Sequence, residues 1–224
     1  NYDASANTDN NLCCGDFLEI VFGTQLGNNI DGDNASDYSG SSVSFSDDGS
    51  RLAIGAYKND SNGIDAGHVK IYTLINNSWT QLGPDINGDI SGDYSGISVS
   101  LSSDGNRVAI GASGHDGDEI TLQNIGHVKV YDWDGSSWNQ LGIDINGEAS
   151  FDYSGGSVSL SGDGSIVAIG ASLNDGVNGS NSGHVKVYEW IGNSWTQLGI
   201  DIGCVSKERK LIFKEKMKRI ESGF

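Results

Sequence analysis

Hydrophobic and polar residues alternate along short segments that recur three times in this chain. The first segment covers residues 42–46, where Val43 and Phe45 alternate with serine. A period of two is typical of a β-strand, because successive side chains point to opposite faces of the sheet. Copies follow at 98–102 and 157–161, so equivalent residues lie 56 to 59 positions apart. The pattern therefore predicts a tandem array of β-sheet units.

Each unit carries signals for four strands in the same order. An Asp-Gly pair follows the first strand and predicts a tight hairpin turn. A loop of 10, 13 or 11 residues separates the second strand from the third. The remaining signals are Ala-Ile-Gly-Ala (53–56, 109–112, 168–171), Gly-His-Val-Lys (67–70, 126–129, 183–186) and Ser-Trp-x-Gln-Leu-Gly (78–83, 137–142, 194–199). Four antiparallel strands per unit are predicted.

The two inner strands also predict how the units pack, because neither of their faces is charged. One face is bulky and the other is small, as the first unit shows: Val43, Phe45, Leu52 and Ile54 against Ser42, Ser44, Ala53 and Gly55. Burial of both faces is typical of β-propeller blades, whereas a sandwich buries one face of each sheet. We therefore predict an all-β fold, a β-propeller-like array of about three four-stranded blades. Because a ring usually has about 4–8 blades, the array is interpreted as a fragment of a larger propeller.

The repeats occupy residues 19–202 and divide the chain into three parts. Residues 1–18 are interpreted as a linker or the end of a Cys-containing module. Residues 203–224 break the repeat pattern and form a basic tail, either an amphipathic helix or a frameshift product. The pairing of Cys13, Cys14 and Cys204 stays open, because none of them recurs in the repeats.

Charge narrows the range of partners. The net charge is −17, and residues 204–224 hold seven of the 13 Lys and Arg residues, so the repeats are strongly acidic. Such a surface repels nucleic acid phosphates and anionic lipid. No run of 18 apolar residues is present, so no membrane span is expected.

The repeated motifs resemble a known family. Asp-Tyr-Ser-Gly-x-Ser-Val-Ser (37–44, 93–100, 152–159), followed by Ala-Ile-Gly-Ala and Gly-His-Val-Lys, is similar to FG-GAP repeats. These are the propeller units of integrin α chains and of many secreted bacterial surface proteins. The resemblance covers about residues 21–202 and is to a divergent bacterial branch, since Ser-Gly replaces Phe-Gly and no Pro follows Gly-Ala. The calcium loop of integrin-type repeats is not carried over, because only a tight Asp-Gly turn stands at its position.

A different acidic stretch between the units has ligand-like spacing. Calcium takes about six to eight hard oxygens, and alternate side chains of a bent loop supply several. The alternative is a polar surface connection. The candidate metal ligands are Asp31, Asp33 and Asp37 in the first copy, Asp85, Asn87, Asp89 and Asp93 in the second, and Asp144, Asn146, Glu148 and Asp152 in the third.

Other polar and aromatic residues were weighed as candidates. The longest loop, residues 113–125, offers His115, Asp116, Asp118 and Glu119 to a cation or polar ligand; the alternative is a variable solvated loop. One histidine per unit (His68, His127, His184) is interpreted as a structural, hydrogen-bonding residue. The five tryptophans (Trp79, Trp133, Trp138, Trp190, Trp195) are interpreted as packing anchors rather than a sugar-stacking platform.

No catalytic motif stands out, so the chain is predicted not to be an enzyme. The leading hypothesis is a non-catalytic extracellular or cell-surface propeller module for adhesion to a protein or glycan ligand. Calcium is the only candidate cofactor, and the hypothesis does not require it. The alternatives are a carbohydrate-binding or carbohydrate-processing propeller and a purely structural spacer. Further blades of the same protein, or a homo-oligomer, are expected to close the ring.

Overall fold

A computed structural model describes residues 25–117, 121–176 and 178–203 as three consecutive β-sheets. Within these ranges no helix is long and apolar enough to span a membrane. Several predicted features lie outside the described residues: the module at 1–18, the tail at 204–224, all three cysteines, Asp118 and Glu119.

Each sheet contains four antiparallel strands and a two-residue fifth strand. The first blade comprises β1 (Ser42–Phe45), β2 (Arg51–Ala56), β3 (His68–Ile75), β4 (Ser78–Gln81) and β5 (Ile86–Asn87). The second comprises β6 (Ser95–Leu101), β7 (Arg107–Ala112), β8 (His127–Trp133), β9 (Trp138–Gln140) and β10 (Ile145–Asn146). The third comprises β11 (Ser157–Leu160), β12 (Ile166–Ala171), β13 (His184–Ile191), β14 (Ser194–Gln197) and β15 (Ile202–Gly203).

The strand order confirms the predicted four-stranded meander. In the first blade the order is β1-β2-β3-β4, and every neighbouring pair is antiparallel. The turn after β1 forms because Asp48 Oδ1 accepts hydrogen bonds from the Ser46 hydroxyl and the Ser50 amide, at 2.7 and 2.9 Å. Amide donation by Ser50, followed by the serine hydroxyls, lowers the Asp48 pKa to about 2.

The outermost strand of each blade is longer than predicted. β4 and β5 both pair with β3, and the residues between them bulge out of the ladder. Leu82 continues the pairing through an amide hydrogen bond to the Ile71 carbonyl oxygen at 2.7 Å. The stretch that begins at Asp85, expected to be a bent loop throughout, therefore starts as part of the sheet because buried Ile86 pairs with Val69.

The blades stack with the small face of one against the bulky face of the next, as predicted. Ala53 of the first blade lies in one apolar cluster with Val99, Leu101, Val108 and Ile110 of the second. An equivalent cluster joins the second blade to the third. Each interface is therefore a small hydrophobic core of its own, and the blades share no single central core.

Serine hydroxyls and glycines bring the backbones of neighbouring blades close together. Ser42 Oγ donates to the Gly96 carbonyl oxygen, and Ser98 Oγ donates to the Gly155 carbonyl oxygen, both at 2.7 Å. A Cβ atom on Gly55 would lie closer than 3.0 Å to that same Gly96 oxygen. Only glycine leaves room for this approach.

The tryptophans are packing residues, as the sequence indicated. The indole nitrogens of Trp138 and Trp195 donate to the carbonyl oxygens of Leu82 and Leu141 in the preceding blade, both at 2.9 Å. Trp138 also stacks against Trp133, with ring centroids 5.3 Å apart. Each indole thus joins two blades, and no tryptophan of the described ranges is an exposed platform.

The three blades do not close a ring. Val69 and Val128 are fully buried between blades, whereas the equivalent Val185 on the third blade is 37% exposed. Ile202 is 64% exposed on the same face. The third blade therefore presents the surface against which another blade would stack.

We expect Gly111→Ala to destabilise the chain by about 1–3 kcal/mol, because the new Cβ would collide with the Gly155 carbonyl oxygen. Gly170→Ala is the matched control: it occupies the same position in the third blade, where the Cβ would meet the movable Ser157 hydroxyl instead of a backbone oxygen. Urea unfolding followed by tryptophan fluorescence measures both. Equal losses of stability would contradict the close-approach argument.

Candidate functional site

Each blade places a histidine and a lysine of its third strand beside two carboxylates. Cluster A is Asp33, His68, Lys70 and Asp85; cluster B is Asp89, His127, Lys129 and Asp144; cluster C is Glu148, His184, Lys186 and Asp201. In each cluster one imidazole nitrogen and one oxygen from each carboxylate lie within 4.8 Å of one another. Three elements distant in sequence meet at each of these points.

Strand geometry explains the composition of cluster A. His68 and Lys70 are two positions apart on β3, so their side chains leave the same face of the sheet. Asp85 sits in the bulge between β4 and β5, which points its carboxylate back toward β3. Asp33 comes from the connection that enters the blade. Clusters B and C repeat this arrangement.

In clusters A and B each lysine ammonium offsets one of the two negative charges of the carboxylates. Lys70 Nζ donates to both oxygens of Asp33, at 2.6 and 2.7 Å, and lies 3.8 Å from Asp85 Oδ2. Lys129 Nζ similarly lies 2.5 Å from Asp89 and 3.6 Å from Asp144. Burial alone lowers the pKa of Lys129, but the Asp89 hydrogen bond and the nearby charges outweigh burial and raise that pKa. The ammonium groups therefore stay charged.

The histidines of clusters A and B have an unsatisfied nitrogen. His68 Nδ1 lies 3.8 Å from Asp85 Oδ2, and His127 Nδ1 lies 3.8 Å from Asp144 Oδ2, both too far for a hydrogen bond. Both residues are only 3% exposed, and neither Nδ1 has a hydrogen-bond partner within the described residues. The expected hydrogen-bonding role is therefore not seen at Nδ1.

A glutamine holds one carboxylate of each of these two clusters, Asp85 or Asp144, away from the histidine. Gln81 Nε2 donates to Asp85 Oδ1 at 2.6 Å, and Gln140 makes the same contact with Asp144. The bond fixes the carboxylate with its Oδ2 facing the imidazole and the lysine. This geometry explains why the 3.8 Å separation recurs in two blades.

The acidic stretch predicted to bind calcium is divided between blades. Asp85 belongs to cluster A, and Asp89, four residues later, belongs to cluster B. Asp93 is buried and accepts hydrogen bonds from the amides of Asp89 and Ile90, at 2.9 and 3.0 Å. One stretch therefore does not converge on one ion, and calcium binding stays a prediction.

The other predicted metal ligands follow the same division. Asp37 and Asp152 are buried like Asp93 and accept side-chain hydrogen bonds from Asn59 and Asn174, at 2.8 and 2.9 Å. The three remaining candidates are exposed and outside the clusters: Asp31, Asn87 and Asn146. Asp33, Asp144 and Glu148 are cluster members.

In the longest loop, His115 occupies the position that Asn59 and Asn174 hold in the other blades. Its Nδ1 lies 3.0 Å from Asp93 Oδ1, and this contact raises the His115 pKa. Its ring also lies 4.1 Å from the ring of His127, between centroids. His115 thus makes an internal contact, and ligand binding by this loop stays a prediction.

Asp116 also makes a contact within the loop. Its Oδ1 accepts the Asn124 amide at 2.9 Å, as Asp60 does for Asp65 and Asp175 for Asn181. The same side-chain cap therefore closes this loop in every blade.

The sequence analysis missed the lysines and Asp201 as cluster members. The signal was present, because Lys follows His by two positions in every Gly-His-Val-Lys motif. Distance along the chain hid it: the residues of one cluster are up to about fifty positions apart, and only the antiparallel register of β3 with β5 brings them together.

We expect the free energy of unfolding to fall as the pH drops from about 6.5 toward 4, in part because of His127. Burial, followed by repulsion from His115, lowers the His127 pKa from 6.5 to about 4 in the folded chain. The unfolded chain therefore binds a proton in this window that the folded chain does not, which costs up to about 1.4 kcal/mol per pH unit. His127→Gln should flatten that part of the profile.

Urea unfolding of the two proteins at about pH 4, 5, 6 and 7, in the presence of EDTA, measures the difference. His115 and Asp93 are present in both proteins, so the difference between the profiles reports the titration of His127 together with its repulsion from His115. Parallel profiles would contradict the assignment.

Comparison with known proteins supports the repeat assignment. The model of the FG-GAP repeat matches residues 146–188, which run from β10 into β13. No curated protein sequence matches the chain at a significant level.

Solved structures with a similar fold were also found. A 6-phosphogluconolactonase candidate from Bacteroides uniformis is 12% identical, with a TM-score of 0.48, over 70% of this chain and 39% of its own. Sqt1 from Saccharomyces cerevisiae is 15% identical, with a TM-score of 0.46, over 73% of this chain and 35% of its own. This chain therefore spans less than two-fifths of the length of either protein.

Proposed function

Because the chain is built from FG-GAP-type propeller repeats, we propose that it is a non-catalytic extracellular binding module for adhesion to a protein ligand. The binding surface is the loop rim, defined here as residues 57–67 with 88–94 and residues 121–126 with 147–153. These are the loops after the second strand of the first two blades, together with the connections to the next blade.

The segments of the loop rim are hydrogen-bonded to one another. Asn62 Nδ2 donates to the Gly88 carbonyl oxygen at 2.6 Å, and the Gly92 amide donates to the Ile64 carbonyl oxygen at 2.9 Å. In the second blade the Phe151 amide donates to the Gln123 carbonyl oxygen at 2.8 Å. Loops fixed on a rigid scaffold are where proteins commonly place binding residues.

Exposed apolar side chains on the loop rim carry the proposal. Ile64 is 74% exposed, Ile90 is 49% exposed and Phe151 is 50% exposed. None of these three side chains belongs to the apolar clusters between the blades. Neighbouring exposed apolar residues mark interaction sites, and an aromatic residue among them suits a protein partner.

The loop rim differs between blades, which also favours a binding role. Ile90 is equivalent to Ala149, and Phe151 is equivalent to Gly92, although the strands around these positions are nearly identical. A surface that served only to support the fold would repeat with the blade. Calcium assistance remains a separate hypothesis, and its site would lie among the acidic residues of the connections between blades, which the loop rim includes in part.

The test is binding of the fluorescently labelled full chain to a panel of immobilised extracellular-matrix proteins and glycans. We expect saturable binding to at least one protein of the panel. The triple variant Ile64→Ser, Ile90→Ser, Phe151→Ser should weaken that binding by about tenfold or more, because it removes the apolar contacts.

A matched control removes equally exposed apolar residues at the opposite end of the blades. Ile75 and Ile191 are 50% and 51% exposed at the hairpins after β3 and β13. Ile75→Ser with Ile191→Ser should leave binding unchanged. Glycan binding alone would favour the carbohydrate-binding alternative, and no binding at all would favour the structural spacer.

A further inference from the structure

We propose that clusters A and B are binding sites for a transition-metal dication of the Zn²⁺ type, coordinated by the histidine Nδ1 and by one oxygen from each carboxylate. The inference does not depend on the proposed ligand-binding role, because the ligand atoms of the clusters are different from the exposed apolar side chains that carry that role, although Asp89 of cluster B is next to Ile90 in the sequence.

The unsatisfied histidine nitrogens are the first reason. His68 Nδ1 and His127 Nδ1 are enclosed by protein, point at a carboxylate 3.8 Å away and have no hydrogen-bond partner within the described residues. Native proteins satisfy nearly all buried polar atoms. A metal ion between the nitrogen and the carboxylates would satisfy this nitrogen, and burial favours the neutral imidazole that coordination requires.

The spacing of the ligand atoms is the second reason. Zinc bonds of about 2.0–2.2 Å in a tetrahedron place neighbouring ligand atoms about 3.4 Å apart. The Nδ1 to Oδ2 separation is 3.8 Å in both clusters, and all three ligand atoms lie within 4.8 Å of one another. Small side-chain rotations would shorten the Nδ1 to Oδ2 separation to the value that zinc requires. The fourth coordination position would then be taken by water.

The mixture of ligands selects the class of metal. Imidazole nitrogen with two carboxylates suits zinc and similar first-row transition metals. Calcium prefers about six to eight oxygen ligands, which these clusters do not supply within the described residues. The two ions are therefore distinguishable at this site.

The lysine is the competitor that sets the affinity. Lys70 and Lys129 each offset one of the two negative charges of their cluster, so an entering dication must displace the ammonium from at least one carboxylate. Their side chains are 16% and 13% exposed, and the four-carbon stem lets the ammonium move outward. Removal of the lysine should therefore strengthen metal binding, whereas a purely structural ion pair predicts no such gain.

Cluster C is not included in the proposal. Glu148 is more exposed than its counterparts, at 54%, and His184 Nδ1 is not among the enclosed nitrogens that lack a partner within the described residues. Its Nδ1 also lies among the more solvent-exposed acidic groups, 3.6 Å from Asp201. We expect weaker binding there.

Isothermal titration of the EDTA-treated full chain with ZnCl₂ tests the proposal, after alkylation of the three cysteines so that their thiolates cannot contribute. We expect two saturable sites. His68→Gln and His127→Gln should each weaken or remove one site by about 10- to 100-fold or more. Titration with CoCl₂ should give the visible absorption of a low-coordinate site, and this absorption should be lost in the double variant.

Two matched variants separate coordination from general effects. His115→Asn removes a neighbouring histidine but restores the residue of the other blades, so zinc affinity should be unchanged. Lys70→Met with Lys129→Met should raise zinc affinity by about tenfold, if each ammonium competes. Circular dichroism checks that every variant is folded.

Three results would overturn the proposal. They are the absence of saturable zinc binding, equal zinc binding by the wild type and by a folded His68→Gln, His127→Gln double variant, and calcium binding that is tighter than zinc binding at these sites. Each leaves the loop-rim hypothesis untouched, since that hypothesis is tested by binding of the protein panel and by the rim variants, in which the histidines and carboxylates of the clusters are unchanged.

Discussion

The close approach of each blade to the backbone of the next is the constraint on which the rest of the structure depends. Gly55 and Gly111 have no side chain, so the carbonyl oxygens of Gly96 and Gly155 can sit directly over them. A serine hydroxyl then satisfies each of these oxygens. The bulky residues of the next blade fill the space around this contact, and the tryptophans join the outer strands. Without the glycine, these contacts could not form together.

The inner part of each blade could be predicted from the sequence because its pattern is local. Val43 and Phe45 alternate with serine, and an Asp-Gly turn follows. A segment of fewer than about ten residues therefore predicts the strand, the face on which each side chain lies and the hairpin turn. The short fifth strand could not be predicted in this way. Ile86 is a lone apolar residue among polar ones. It pairs with Val69 because the backbone groups of β3 beyond the bulge are free to pair with another strand. The fifth strand therefore depends on its pairing with β3 and not on a local sequence pattern.

The candidate site shows the same limit more strongly. The spacing of polar residues along 85–93 predicted that they bind one shared ion. The chain passes from the first blade to the second within this stretch, so Asp85 and Asp89 belong to different clusters. The residues that complete each cluster are a histidine and a lysine on one strand, and they lie fifteen or more positions from the nearest carboxylate of the cluster in the sequence. Their repetition indicated a role in the frame of the blade, which the ion pairs to Lys70 and Lys129 support. Repetition alone could not indicate the unsatisfied imidazole nitrogen, since that depends on distances.

Repetition therefore separates two kinds of surface in this protein. Residues present in every blade, such as His68 and His127, lie beside the connection that enters their blade. A binding site formed by such residues can therefore occur once in each blade. Residues that change from blade to blade, such as Ile90 and Phe151, lie on the loop rim and give each blade a different surface. A rigid repeating frame makes both possible, because exchange of a rim residue does not disturb the glycine contacts between blades. A specific ligand would thus be recognised by the variable residues, whereas a bound cation would act at clusters A and B and strengthen the contact between a blade and the connection that enters it.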